Sequence, residues 1–249
     1  MEQVATRLLC SPSKISRLET GQRGATLRDV RDLCDLYGIT KQADRDHLMT
    51  LAREGKQQAW WQHYDLRYST LVGLEAEATA ISGFQSSVVP GLLQTPEYAR
   101  AGHEVAMPRL EPDEIERQIE AKITRQQVLL REEPPSFDVV LDEAVLHRVT
   151  GGPRVMRAQL DRLIDVGRLP NVTIRILPFA VGAHPALESN FSILELPATP
   201  GVVFVEGMVG SIYLERQEGL ERYKRVFGRL RSISLSPEDT VDAIARMRF

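Results

Sequence analysis

The fold of the first part of this chain is decided by the stretch Ser11-Pro12-Ser13-Lys14-Ile15-Ser16-Arg17-Leu18-Glu19-Thr20-Gly21. Ser11 is a favourable helix N-cap, and Pro12 suits the first helical position, where its missing N–H costs nothing. Ile15 and Leu18 lie three residues apart and share one face, which we expect to be buried. The pattern therefore predicts a short amphipathic helix over residues 11–20.

The opposite face of this helix carries short polar and cationic side chains, which suit base edges and phosphates. Arg17 has the geometry for a bidentate bond to guanine, whereas Lys14 is better suited to a phosphate. The candidate nucleic-acid contacts, including two in the following loop, are Ser13, Lys14, Ser16, Arg17, Gln22 and Arg23. An ordinary amphipathic surface helix is the alternative interpretation.

The length and composition of the chain bound its class. Its 249 residues, 43% of them hydrophobic, can bury one large core or two modest ones. The sequence has no apolar run of membrane-spanning length and no secretory leader, so we expect a cytoplasmic protein. Cys10 and Cys34 fall on apolar helical positions and are expected to be small buried thiols rather than disulfide partners or metal ligands.

Charge is unevenly distributed along the chain. The net charge is −3, which argues against a wholly basic nucleic-acid binder. Residues 1–28 nevertheless hold five basic and two acidic side chains, so a positive excess surrounds the helix at 11–20. Counterion release from phosphates would use that excess.

The sequence predicts two domains joined by a short linker. Residues 1–54 form a small all-helical unit, with helices to residue 9 and over 11–20, 27–37 and 40–53. Thr26 and Asp29 form a capping box before the third helix, whose apolar stripe runs to Tyr37. Val4, Ala5, Leu8 and Leu9 form the stripe of the first helix. Residues 55–70, with the adjacent Trp60 and Trp61, are expected to be a structured hinge. The alternative is that these aromatic side chains stack on nucleic-acid bases.

Residues 71–249 alternate between strand and helix patterns, which predicts a mixed sheet flanked by helices. The overall class is α+β and multidomain: a helix-turn-helix unit followed by an α/β domain. The strand candidates are 80–89, 137–141, 172–177, 190–196, 202–206 and 211–214. The helix candidates are 71–79, 96–105, 112–131, 153–167, 216–234 and 237–248.

Several motifs resemble one family of regulators. Residues 4–21 are similar to helices two and three of XRE-type (lambda-repressor-like) helix-turn-helix proteins. The rest of the chain resembles their actinobacterial, WhiJ-like branch, which has a C-terminal domain of unknown function. The most specific matching runs are Val89-Pro90-Gly91-Leu92-Leu93-Gln94-Thr95-Pro96-Glu97-Tyr98-Ala99-Arg100 and Leu169-Pro170-Asn171-Val172-Thr173, followed by 177–179. Further matches lie at 33–39, 60–61, 125–129, 140–144 and 213–215.

The resemblance implies a DNA-binding transcriptional regulator. It also implies that the C-terminal domain serves interaction or sensing, often with a small partner protein encoded nearby. Specific operators would need two half-sites, so we expect a homodimer on double-stranded DNA. No cofactor and no membrane partner is expected.

The chain departs from the family pattern at its start. Family members place another amphipathic helix before the one that begins here at Met1, so the first helix of the domain is missing and Val4, Leu8 and Ile15 lose its cover. Three explanations are open: a start codon assigned too far downstream, which we favour, a degenerate member, or a partner that supplies the missing surface.

An enzyme or metal site in the second domain is the alternative function. Its candidate residues are Asp142, Glu143 and Glu206, at strand ends, and His184, in a loop. However, Glu143 and His147 also fit a simple pair four residues apart, and a loop histidine commonly contacts backbone. The chain has no Gly-rich phosphate loop, nucleophile elbow or zinc-type Cys/His spacing, so we expect no enzymatic activity.

A third interpretation treats the second domain as a receptor for a ligand or a protein. The loop 181–187 has the small residues of a lid, and the predicted helix 216–234 carries six basic side chains. Such a basic run is usually a solvated face, but it would also suit an acidic partner.

Overall fold

The computed structural model describes residues 2–19, 24–54, 68–106, 111–197, 199–207 and 210–247. It divides into two compact units, Met1–Gln62 and His63–Phe249. The predicted hinge at Trp60 and Trp61 lies outside the described residues and stays a prediction. Within the described ranges, every helix is too short or too polar to cross a membrane.

The N-terminal unit is built from four short helices. They are α1 (Glu2–Arg7), α2 (Pro12–Glu19), α3 (Leu27–Leu36) and α4 (Gln42–Glu54). The predicted capping box starts α3, because the Asp29 N–H donates to Thr26 Oγ1 at 3.1 Å and the Thr26 N–H donates to Asp29 Oδ2 at 3.0 Å. The all-helical character of this unit is therefore confirmed.

Three of the expected buried positions in this unit are not buried. Helix α1 ends at Arg7, and Leu9 lies in the turn beyond it with 95% of its surface exposed. Tyr37 is 60% exposed, because α3 ends at Leu36 and the chain then turns away at Gly38. Cys34 is buried as expected, but Cys10 is only half-buried. In α1 and α3 the apolar periodicity of the sequence continues past the residue at which the helix ends.

The C-terminal unit is a six-stranded mixed sheet flanked by helices, as predicted. Its strands lie in the order β3-β2-β1-β4-β5-β6. Strands β1 to β3 run parallel, and β4 to β6 are antiparallel to their neighbours. The strands are β1 (Ala80–Gln85), β2 (Ser136–Asp142), β3 (Val172–Leu177), β4 (Phe191–Leu196), β5 (Thr199–Gly207) and β6 (Gly210–Leu214).

Helices connect and cover these strands. The α-helices of this unit are α5 (Ser69–Glu77), α6 (Pro96–Ala106), α7 (Pro112–Arg125), α8 (Ala144–His147), α9 (Pro153–Val166), α10 (Gln217–Ile233) and α11 (Pro237–Arg246). Because side chains alternate across a strand, Val139 and Leu141 of β2 pack in one core with α6, α9 and α11, whereas Val140 packs with α10 on the opposite face. Next to the first core, α5 packs Leu71 against Leu194 and Phe204.

Two elements end earlier than the sequence pattern predicted. The strand candidate 80–89 stops at Gln85, because both the N–H and the hydroxyl of Ser86 bond to Asn190 Oδ1 at 2.8 Å. The helix candidate 112–131 changes to a 3₁₀-helix over Gln126–Leu130. There the buried Gln126 amide donates to the carbonyls of Gly91 and Gln94, at 2.9 and 2.8 Å. In both cases tertiary hydrogen bonds replace those of the regular element.

A buried ion pair joins α5 to α7. The Arg125 guanidinium donates from Nε to Glu75 Oε2 and from Nη2 to Glu75 Oε1, the latter at 2.6 Å. Both side chains are almost fully buried, and the Arg125 guanidinium carbon lies 5.3 Å from the centre of the Tyr68 ring. Neither charge of such a pair is stable in this interior without the other.

We expect Glu75→Gln to lower the free energy of unfolding by about 3 kcal/mol, because Arg125 is left buried without a carboxylate. The double variant Glu75→Leu/Arg125→Met should cost less than this single substitution. Urea unfolding followed by circular dichroism measures both. The matched control is Asp165→Asn, which breaks an exposed pair with Arg168 and should change stability by less than about 1 kcal/mol. Equal costs for Glu75→Gln and Asp165→Asn would contradict the assignment.

Candidate DNA-binding helix

A tight turn connects α1 to α2. The Leu9 N–H donates to the Thr6 carbonyl at 3.3 Å, and the Cys10 N–H donates to the Ala5 carbonyl at 2.9 Å. This pattern is a Schellman motif, which satisfies the last carbonyls of a helix and places one residue in the left-handed conformation. That residue is Leu9, with φ of 50°. Gly38 has the same place after α3, with φ of 68°.

Helix α2 begins as the sequence predicts. The Ser11 hydroxyl accepts a hydrogen bond from the Lys14 N–H at 3.2 Å, and Pro12 occupies the first helical position. Ile15 is 2% exposed and Leu18 is half-buried, so these two positions form the inner face. Their burial directs the opposite side of α2 to solvent.

Two of the predicted contact residues are exposed on the solvent side of α2. Ser13 and Arg17 are exposed, and Arg17 Nε donates to the Ser13 carbonyl at 3.2 Å. That bond uses one donor and leaves the Nη groups of Arg17 on the surface. Ser16 is half-buried and already makes a contact within the protein. Gln22 and Arg23 lie outside the described residues, and their role as phosphate contacts stays a prediction.

Lys14 is engaged within the protein. Its Nζ lies 2.5 Å from Asp29 Oδ1, and only 27% of the side chain is exposed. The same carboxylate accepts from the Thr26 hydroxyl at 2.7 Å and from the Thr26 N–H. Asp29 therefore joins the solvent-facing helix α2 to the first turn of α3.

The environment of Asp29 lowers its pKa. Burial by itself raises the pKa, but the hydrogen bonds from Lys14 and from Thr26 outweigh it and bring the pKa to about 2 from the usual 3.8. The ionised form is thus the one that the folded unit stabilises. The sequence predicts Asp29 as a capping residue but does not predict its bond to Lys14, because the two residues are fifteen positions apart and no periodic pattern relates them.

The four candidate residues of the alternative site do not converge. Asp142 lies on the α10 face of β2, opposite Leu177, whereas Glu206 lies on the other face of β5, which Phe204 and Tyr213 share with α5. The two strands are separated by β1 and β4, so these carboxylates are roughly 14 Å apart across the sheet as well as on opposite faces.

Within that set, Asp142 and His184 make a direct contact. His184 Nε2 lies 3.8 Å from Asp142 Oδ2, and its Nδ1 accepts the Ala186 N–H at 3.3 Å, which confirms the predicted contact with backbone. Glu143 accepts the Phe179 N–H at 2.7 Å and lies 3.4 Å from His147, which confirms that pair. These contacts hold the loop after β3 against the end of β2. Among the described residues, His, Cys, Asp and Glu side chains form no group of three able to share a metal ion.

Comparison with known families agrees with this geometry. A family model described as a helix-turn-helix domain matches residues 1–48, the region that contains α1, the tight turn and α2. The N-terminal unit is therefore a helix-turn-helix domain, a class of DNA-binding fold.

The second match covers most of the remaining chain. The model of a domain of unknown function, DUF5753, matches residues 68–246, well over half of the chain, so the protein belongs to the DUF5753 family. No curated protein and no solved structure matches it significantly. A helix-turn-helix domain joined to a C-terminal domain of unknown function is the arrangement that the sequence predicted.

Replacing Leu9 with glycine is expected to stabilise the N-terminal unit by about 1 kcal/mol. A left-handed conformation is unfavourable for leucine and costs nothing in glycine, and the exposed Leu9 side chain buries no surface that would be lost. Thermal unfolding followed by circular dichroism measures the change. Gly38→Ala is the reciprocal control and should destabilise. A loss of stability in Leu9→Gly would show that the turn does not have this conformation.

The Asp29 carboxylate makes the stability of the N-terminal unit depend on pH. Its folded-state pKa is lowered, so its contribution is present above about pH 4 and is lost as pH falls towards 2. We expect Asp29→Asn to cost about 2 kcal/mol near pH 6 and almost nothing near pH 2, as measured by urea unfolding across this range. Asp35→Asn, which alters an exposed partner of Arg45, is the control and should show a small difference. A cost for Asp29→Asn that does not change with pH would exclude the ion pair as its source.

Proposed function

We propose that this protein is a transcriptional regulator that binds double-stranded DNA and reads the major groove with the helix at residues 11–20. The observation that carries the proposal is the orientation of α2, whose buried Ile15 turns Ser13 and Arg17 towards solvent in a helix-turn-helix domain. Ser13 and the Nη groups of the exposed Arg17 are suited to base edges, and Ser16 and the loop residues Gln22 and Arg23 complete the proposed contact set.

The finer family assignment is also a proposal. The resemblance of residues 4–21 to XRE-type proteins, and of the later motifs to the WhiJ-like branch, supports it. In proteins of this type two recognition helices bind half-sites one helical turn apart, so we propose that the DNA-bound form is a homodimer.

Lys14 has two possible partners in this proposal. Its ammonium bonds to Asp29 in the free protein, and a phosphate contact would require it to share or exchange that partner. We therefore assign Lys14 mainly to the positioning of α2 on α3. Arg17 is assigned to base discrimination, because its guanidinium has no carboxylate partner among the described residues.

We propose that the C-terminal domain mediates interaction with an effector or a small partner protein and has no catalytic role. The face of α10 that points away from the sheet supports interaction, because Arg222, Arg225 and Arg229 follow one another there and are exposed. The separation of Asp142 from Glu206 on opposite faces of the sheet supports the absence of a catalytic site among the four candidate residues.

The test is binding of the chain to labelled genomic DNA fragments, measured by fluorescence anisotropy over a salt series. We expect specific binding with a steep decrease as salt rises, because cationic side chains release counterions from phosphates. Arg17→Ala should weaken binding to the preferred fragment by about tenfold or more. It should change binding to random DNA much less.

The matched control is Arg154→Ala, which removes the same charge from an exposed position of the C-terminal domain. It should leave the preference between fragments unchanged. If Arg17→Ala and Arg154→Ala reduce binding to all fragments equally, the assignment of base discrimination to Arg17 is wrong. If the unmodified chain binds no fragment at any salt concentration, the proposed function fails for this chain.

A further inference from the structure

The two edge strands of the six-stranded sheet, β3 and β6, differ in how the rest of the described chain covers them. At the β3 edge, the Ile176 N–H donates to the Thr240 hydroxyl at 3.1 Å, and the Leu235 N–H donates to the Ile176 carbonyl at 2.9 Å. Thr240 is almost fully buried there. The segment that leads into α11 therefore covers this edge and occupies backbone groups that would otherwise accept another strand.

The β6 edge has no such cover among the residues that the structure describes. Strand β6 pairs with β5 along its whole length, from Gly210 opposite Gly207 to Leu214 opposite Val203. The backbone groups on its other side have no partner in the described ranges. These groups form a row that is ready to pair with an extended strand.

The side chains of β6 do not discourage such pairing. Proteins commonly protect an exposed edge with charged residues, proline or a bulge. The strand Gly-Ser-Ile-Tyr-Leu at 210–214 contains none of these, and its register with β5 is regular. Ile212 is 58% exposed, although it lies opposite Val205 on the face that α10 covers further along the sheet.

We infer that the β6 edge binds the β6 edge of a second copy of this chain. The two strands pair antiparallel about a two-fold axis at Ile212, which joins two six-stranded sheets into one continuous sheet. This contact goes beyond the proposed DNA binding, because it lies in the C-terminal domain and forms without DNA.

Charge supports a second copy as the occupant. A two-fold contact places the residue on the axis opposite its own symmetry equivalent, so a charge at that position would meet a like charge. Strand β6 carries no charge. Around an axis at Ile212, the two exposed isoleucines lie opposite each other, and each Ser211 lies opposite a Tyr213. The first is an apolar pair, and neither arrangement brings like charges together.

The contact is expected to be weak to moderate. A five-residue strand buries less surface than the typical stable interface of about 1,600 Å². We therefore expect a dimer with a dissociation constant on the order of micromolar, which a concentration series will detect.

The test uses the full-length chain without DNA in sedimentation velocity. For the unmodified protein, we expect the average mass to rise towards twice that of the monomer as concentration increases. Ile212→Lys places two ammonium groups opposite each other and should weaken the dimer at least about tenfold. Leu187→Lys is the matched control, because it adds the same charge at another exposed apolar residue of this domain, and it should dimerise like the unmodified protein.

Hydrogen exchange of the unmodified protein keeps the test independent of how Ile212→Lys folds. We expect outward amides of residues 210–214 to exchange at least about tenfold more slowly at high protein concentration than at low concentration, while those of β5 stay protected at both. Three results would overturn the inference. They are a monomer at every concentration, a dimer in which these amides exchange rapidly, and slow exchange at all concentrations, which would mean that another part of the chain covers the edge.

The two proposals fail separately. A chain that dimerises through β6 but binds no DNA contradicts only the proposed function. A chain that stays a monomer at every concentration without DNA, but binds two half-sites as a dimer, contradicts only the pairing of β6.

Discussion

The C-terminal domain depends on the alternation of side chains across its sheet. Because neighbouring residues of a strand point to opposite faces, β2 sends Val139 and Leu141 into one core and Val140 into another, and both faces then need helices. The same alternation separates Asp142 from Glu206, so these two carboxylates lie on opposite faces of the sheet. At the edges of the sheet the constraint comes from backbone groups. The chain covers the β3 edge, and the described residues leave the β6 edge uncovered.

In the helix-turn-helix unit the corresponding constraint is the bond between Lys14 and Asp29. This small unit has few fully buried apolar side chains among its described residues, namely Ala5, Ile15 and Cys34. A carboxylate that accepts from Lys14 and from Thr26 therefore contributes substantially to the position of α2 on α3. Under the proposed function, an interaction that holds α2 in place would affect DNA binding without touching DNA.

Interactions between residues close together in the sequence were predicted, and interactions between distant residues were not. The capping box of Thr26 and Asp29, the cap at Ser11 and the pairing of Glu143 with His147 all connect residues within four positions, and the sequence displays them directly. Strand and helix positions in the second domain were also predicted within a few residues, because apolar and β-branched runs bounded by glycine or proline are local signals. Errors occurred where a pattern continued past the end of an element, at Leu9 and Tyr37 in the first unit and in the candidates 80–89 and 112–131 in the second.

The amino-acid sequence by itself determined the class of this protein: a helical unit with a polar, basic helix at 11–20, followed by a mixed sheet flanked by helices. Those features depend on periodicity and on caps, which are properties of neighbouring residues. Only the tertiary structure decided that Lys14 bonds to Asp29, that Glu75 is buried with Arg125, and that the segment leading into α11 covers the β3 edge of the sheet. These contacts join residues far apart in the chain, and their geometry is set by how the strands and helices pack rather than by any local pattern.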